Sequence, residues 1–198
     1  VRLPSDLEIR SLHERFAPNA AALDLVHTHC VIVAEMAAEL IANNRLDVDA
    51  ALVRAGCLLH DIGVYRLYRA DGSLDHANYI RHGILGHELL SELGFPATVC
   101  RFCSCHTGVG ITRDDIRRQA LPLPIGDYVA RSPEEHLVMY ADKFHSKSSP
   151  PTFLTAATYR SEVAGFGPDK AAVFAAMVAT YGEPDVEALA ATHGHALR

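Results

Sequence analysis

The chain has 198 residues, of which 49% are hydrophobic and 21% charged, which excludes a disordered or low-complexity segment and describes a globular domain with a sizeable core. A formal charge of −6 argues against a surface built to follow a nucleic-acid backbone, so no nucleic-acid duplex is expected as a partner. A local cationic pocket could still hold a phosphate.

Long helical patterns separated by short Gly, Pro or Asn-Asn breaks run through the chain, and alternating strand-like runs are scarce. The expected fold is an all-α helical bundle in a single domain, 1–198. Its predicted helices run from about Ser5 to Arg15, Ala20 to Ala42, Asp47 to Asp61, Asn78 to Leu93, Ala97 to His106, Arg113 to Gln119, Pro133 to Phe144, Thr152 to Glu162, Pro168 to Tyr181 and Asp185 to His193. Pro133 suits a first helical turn after Ser132, and Glu134 and Glu135 there complement the helix dipole. Two segments next to candidate site residues read as loops, 63–77 and 107–127, and the Ala-rich end from Lys170 onward reads as cover for the core. No unbroken apolar run approaches the ~20 residues of a bilayer span. The start Val1-Arg2-Leu3-Pro4-Ser5-Asp6 lacks the basic-then-apolar layout of a signal peptide, so a cytoplasmic location with no membrane partner is the expectation.

Twelve histidines are the compositional anomaly, and helical phase sorts them. The pair His60-Asp61, inside Cys57-Leu58-Leu59-His60-Asp61-Ile62-Gly63, sets an imidazole and a carboxylate among apolar residues. Burial of an unpaired carboxylate is costly, and a borderline divalent metal takes nitrogen and oxygen donors together. His29 shares a helix face with Val33, Met36 and Leu40, whereas His27 is turned ~160° away and reads as a surface imidazole. His82 aligns with Gly86, Leu89 and Leu93, with His87 ~140° off that line. His106 follows Val99, Phe102 and Cys103 at a helix end, and Asp142 lies between Val138 and His145. A lone inward histidine is ordinarily satisfied by a backbone carbonyl, and a lone aspartate by Lys or Arg. Taken together these residues would each need a separate buried partner, which a shared metal site replaces.

The ordered set His29, His60-Asp61 and Asp142 resembles the HD-domain metal-dependent phosphohydrolases, over an HD core of about 20–147 followed by a helical extension at about 152–198. His82 and His106 resemble the extra ligands of the dinuclear HD subgroup. That subgroup includes HD-type diadenosine tetraphosphate hydrolases, HD-GYP cyclic di-GMP phosphodiesterases and HD-type di-iron oxygenases. The resemblance implies two divalent transition metal ions (Fe, Mn, Co, Ni or Zn), one held by His29, His60, Asp61 and Asp142 and the other by His82 and His106, with Asp61 bridging. No Gly-Tyr-Pro follows, which disfavours cyclic dinucleotide cleavage by the HD-GYP route, and the segments at 107–127 and 144–151 do not match the diadenosine tetraphosphate hydrolases.

The implied activity is hydrolysis of a phosphate ester or anhydride of a nucleotide or other small phosphorylated metabolite. The alternatives are a mixed-valence di-iron oxygenase with the same ligands and a non-catalytic nucleotide sensor; a sensor would be expected to have lost ligands. Asp61 and Lys143 are the candidate catalytic groups, and Arg81, Lys143 and Lys147 the candidate phosphate contacts. A residue beside a ligand on a helix points about 100° away from it, so Arg81 and Lys143 read equally as solvated charges. His76 and His87 read as surface residues. The five cysteines, an odd number, read as thiols, and Cys100, Cys103 and Cys105 before His106 offer a rival structural zinc reading that lacks a second cysteine pair.

Overall fold

A computed structural model describes residues 2–198, and among these the helices dominate as expected. They are α1 (Asp6–Phe16), α2 (Ala20–Asn44), α3 (Ala50–Leu59), α4 (His82–Glu92), α5 (Ala97–Cys105), α6 (Arg113–Gln119), α7 (Pro133–Ala141), α8 (Ala156–Val163), α9 (Pro168–Tyr181) and α10 (Val186–His193). Short 3-10 turns cover Ile62–Leu67, His76–Arg81, Asp142–Phe144 and Ala164–Phe166. The strands are three two-residue pieces, β1 (His145–Ser146), β2 (Thr152–Phe153) and β3 (Ala196–Leu197). β1 pairs antiparallel with β2, and β2 parallel with β3, which ties the end of the chain to the residues just after Asp142.

α2 is the spine of the core. Its face of His29, Val33, Met36 and Leu40 is buried throughout, and it packs against α3 and α7. By length and composition, with a mean hydropathy of 1.5 over its most apolar stretch, this helix could also cross a membrane. The sequence reading missed this because His27, Thr28, His29, Glu35 and Glu39 break the apolar run. In the fold ten of its residues are buried among the other helices, and one of them is a histidine of the candidate site.

Local chemistry accounts for the departures from the predicted boundaries. α3 starts at Ala50 because the Asp49 side chain accepts from the N–H groups of Ala51 and Leu52, both at 3.0 Å, and it ends so that His60 is its C-cap. The predicted 78–93 helix is divided into a 3-10 turn and α4, which begins at His82. The predicted 133–144 helix tightens into a 3-10 turn at Asp142. Ser132, Pro133, Glu134 and Glu135 begin α7 as expected. The predicted 152–162 helix is instead strand β2 followed by α8, capped by Thr155. The segment 63–77, read as loop, begins and ends in 3-10 turns.

Two close backbone approaches position the site. A Cβ on Gly63 would lie 2.1 Å from the His82 carbonyl oxygen and 2.2 Å from the Gly86 nitrogen, so the turn after Asp61 rests directly on α4. A Cβ on Gly83 would lie 2.6 Å from the Cys103 carbonyl oxygen, which sets α4 equally close to α5. No side chain fits at either point without backbone movement. Gly63→Ala is therefore expected to cost about 3 kcal/mol or more in denaturant unfolding and to lower metal content, because the strain falls between Asp61 and His82.

Candidate metal centre

Four elements deliver one cluster. His29 comes from the middle of α2, His60 from the C-cap of α3, and Asp61 from the residue between that cap and the next turn, at φ −105° and ψ 7°. That bridge conformation turns its carboxylate inward. Asp142 follows α7. His29 Nε2 lies 3.0 Å from Asp142 Oδ1, 3.2 Å from Asp61 Oδ2 and 3.2 Å from His60 Nε2. His60 Nε2 is 3.4 Å from each of the two carboxylates. On the other side, His82 Nε2 and His106 Nε2 lie 3.5 and 3.4 Å from Asp61 Oδ1. Asp61 thus belongs to two donor groups, one facing each of its oxygens.

The donors fit divalent cations. Asp61 is fully buried, and neither of its oxygens has a hydrogen-bond partner, although the Lys147 ammonium abuts Oδ2 as an ion pair. Three imidazoles fix their tautomers through backbone carbonyls: His60 Nδ1 donates to Cys57 at 2.7 Å, His82 Nδ1 to Tyr79 at 2.7 Å and His106 Nδ1 to Phe102 at 3.1 Å. In neutral His82 and His106 this leaves two Nε2 lone pairs facing each other at 2.9 Å, an arrangement that a shared cation stabilises. Burial keeps both rings neutral, with His106 lowered and His82 pushed down to about 3. Nitrogen and carboxylate donors of this kind suit first-row transition metals.

Opposite charges compensate one another around the cluster. Burial opposes ionisation of Asp61, but Lys147 and His60 hold its carboxyl well below the usual range. Burial likewise opposes ionisation of Asp142, and Lys143 and His29 outweigh it. Burial disfavours the His60 imidazolium, yet Asp61 beside it raises His60 well above an ordinary imidazole.

The lysines settle the open readings. Lys143 is buried, not solvated, and donates to Asp142 Oδ2 at 2.5 Å and to the His106 carbonyl at 2.9 Å. Lys143 and Lys147 both line a cavity of about 390 Å³ with His82, His106 and Asp142. Arg81 is exposed and absent from the cavity wall, because His82 and not its neighbour faces inward at the start of α4. His76 is exposed at the cavity rim, and His87 is half-buried against Ser104 at 2.9 Å. All five cysteines are free and buried, and none belongs to either donor group.

Sequence phase missed a further shell. His29 Nδ1 lies 2.9 Å from His145 Nδ1, and His145 Nε2 lies 3.0 Å from His195 Nδ1. For His29 to present a lone pair from Nε2, its Nδ1–H must donate to His145, whose Nε2–H then donates to His195. Burial pushes His145 down to about 2, so it is neutral and able to accept. His145 lies on β1 and His195 beside β3, so no helical periodicity could have joined them to α2.

A helical domain converging four imidazoles and two carboxylates on one buried point is a fold built to hold metal. The HD domain family model matches residues 26–147, more than half of the chain, and the chain belongs to the HD-domain metal-dependent phosphohydrolase superfamily. Among relatives, it is 40% identical over 117 residues to an uncharacterized protein of Methanocaldococcus jannaschii, covering 58% of this chain and 62% of that one. It is 35% identical over 123 residues to a tRNA (cytidine(56)-2'-O)-methyltransferase of Picrophilus torridus, covering 62% of this chain and 32% of the relative. The chain thus spans less than two thirds of the length of either relative. Among solved structures, the HD domain of the L. monocytogenes phosphodiesterase PgpH superposes with a TM-score of 0.53 at 15% identity, covering 93% of this chain and 98% of that one. The same domain in complex with cyclic-di-AMP superposes at 0.51, also at 15% identity, covering 93% and 96%. At this identity the likeness is one of fold.

Two predictions follow from the protonation states. The depressed imidazoles of His13 (about 4), His82 (about 3) and His145 (about 2) stabilise the fold fully above pH 6.5 and lose that contribution as pH falls towards their folded values. Each adds a slope of up to about 1.4 kcal/mol per pH unit. The raised His60 has the opposite sign, its contribution being present below pH 6.5 and lost as pH rises through its folded value. Thermal unfolding of metal-free protein should therefore show greatest stability near pH 6.5, whereas saturating metal, which replaces the His60 proton, should remove the decline on the alkaline side. Separately, His145→Ala should weaken metal binding about 10- to 100-fold in a chelator competition. His145→Asn, whose Oδ1 can accept from His29, should recover part of that loss.

Proposed function

We propose that the protein hydrolyses a phosphate ester or anhydride of a nucleotide or small phosphorylated metabolite at a dinuclear metal centre. The observation that carries this reading is Asp61, fully buried, with an imidazole pair at each oxygen and two lysines in the adjoining cavity. Divalent metals bound there would supply Lewis-acid activation of water and of a phosphoryl oxygen.

The side chains supply the rest. His29, His60, Asp61 and Asp142 are assigned to one ion, and His82 and His106, with Asp61 as bridge, to the other. Lys143 has two of its three N–H groups committed to Asp142 and the His106 carbonyl, which leaves one to donate to a phosphate oxygen. Lys147 pairs with Asp61 Oδ2 and lines the same cavity, where its ammonium would also meet a phosphate oxygen. Water attacks phosphorus as the P–O bond to the leaving oxygen breaks; the water's proton passes to bulk water through the open cavity, and the leaving oxygen takes a proton from the remaining N–H of Lys143 Nζ, which bulk water restores, while Asp61 serves as a ligand. Two ammonium groups, Lys143 buried and Lys147 half-buried, line the cavity and favour an anionic phosphate over the substrate of an oxygenase. A nucleotide is in keeping with the cyclic-di-AMP bound by the HD domain of PgpH.

The test is metal reconstitution with Mn, Fe(II), Co or Ni, followed by a phosphate-release screen over nucleotides, dinucleoside polyphosphates and sugar phosphates. The expected result is two equivalents of metal per chain, one of them lost in His82→Ala and His106→Ala, and turnover that falls at least about 100-fold in His60→Ala. Less than one equivalent, or a second equivalent untouched by those two variants, would rule out the dinuclear assignment. A stable mixed-valence iron EPR signal perturbed by a non-nucleotide substrate would count against hydrolysis.

A further inference from the structure

Beside the metal cavity lies a second space of about 270 Å³, and the two share Thr107, Gly108 and Tyr159 as lining. Its wall is almost wholly carbon, from Ile80, Leu121, Val163 and the ring of Phe166, which is 62% exposed at the edge. Thr107, Gly108 and Leu121 belong to the 107–127 segment, while Val163 and Phe166 lie beyond residue 147, where the family match ends. The annex is therefore walled on one side by residues inside the family match and on the other by residues after it.

Its polar groups are unequal. Lys170 and Asp115 form a buried ion pair, and Lys170 also donates to the Gly110 carbonyl at 3.0 Å. Asp115 accepts in addition from Thr112 and Arg118, so this pair asks nothing of an occupant. Gln119 differs. It lines the annex, half-buried, and its carboxamide has no hydrogen-bond partner among the described residues.

We infer that the annex seats the base of a nucleotide whose phosphate lies at the metal centre, with the Gln119 carboxamide reading the base edge. This rests on the phosphohydrolase reading of that centre. An apolar chamber lined by two aromatic residues, Tyr159 and Phe166, suits the faces of a planar heterocycle. A single amide with both donor and acceptor suits its edge, as Gln does with adenine. An aliphatic chain would leave Gln119 unpaired, and a second charged group would find only a satisfied ion pair.

The protein contains no tryptophan, so Phe166→Trp at this exposed position introduces a sole reporter in the annex. In metal-loaded Phe166→Trp, adenosine 5′-monophosphate should quench the tryptophan emission saturably, and ribose 5-phosphate should not. In the unsubstituted protein the nucleotide should be favoured over ribose 5-phosphate by about tenfold or more in KM, or in competition against a chromogenic phosphate ester. Gln119→Leu should reduce that preference. Equal handling of the two phosphates together with no quenching would overturn the annex and leave hydrolysis standing. Saturable quenching by the nucleotide with no phosphate released under any metal would support the annex and overturn the hydrolase reading instead.

Discussion

The structure depends on keeping an ionised carboxylate, Asp61, fully buried with no hydrogen bond to either oxygen. A buried charge costs several kcal/mol unless its surroundings compensate it, so the elements nearby are organised around the two lone-pair faces of one side chain. α2 and α3 meet Oδ2 with His29 and His60, while α4 and α5 meet Oδ1 with His82 and His106. This explains why the tightest backbone contacts, at Gly63 and Gly83, lie between these elements and not in the periphery. A carboxylate that must be reached from both sides requires the α3–α4 connection to approach closer than any side chain permits.

Helical phase was informative where the ligand sits within or directly at the end of a regular helix. His29 over His27 and His82 over His87 are both distinguished by burial, because neighbours three and four residues away on one helix must share its environment. The same reasoning has no purchase outside regular helix. Lys143 follows Asp142 in a 3-10 turn, so the offset of about 100° that would send it to solvent in an α-helix does not apply, and its stem folds back under His106. Arg81, which precedes α4, had an equally suggestive place in the sequence and faces solvent. His145 and His195 are joined to His29 only by the pairing of three two-residue strands, which leave no periodic trace. Strand pairing between residues some 40 to 50 apart is a tertiary fact that a single sequence does not carry.

The end of the chain thereby acquires a role at the centre. β3 adds to β2, β2 pairs with β1, and the three strands carry the imidazole series from His29 through His145 to His195. In such a series each neutral ring has one donor and one acceptor, so the orientation of the outer ring dictates that of the inner one. The residues beyond the HD core contribute twice in this way, to the outer support of a metal-facing histidine and to the wall of the annex.

Charge compensation explains how two carboxylates can lie side by side in the core. Asp61 and Asp142 bring two negative charges there, and the chain sets against them the ammonium groups of Lys147 and Lys143 and the raised proton affinity of His60. Lys143 is fixed by the His106 carbonyl as well as by Asp142, and so is part of the wall. Both lysines face the same cavity as His82, His106 and Asp142, so the groups that stabilise the carboxylates of the candidate metal centre also give the adjoining space its positive charge. A site that offers ligands to cations and a receptor to an anion beside them draws both properties from one pair of lysines.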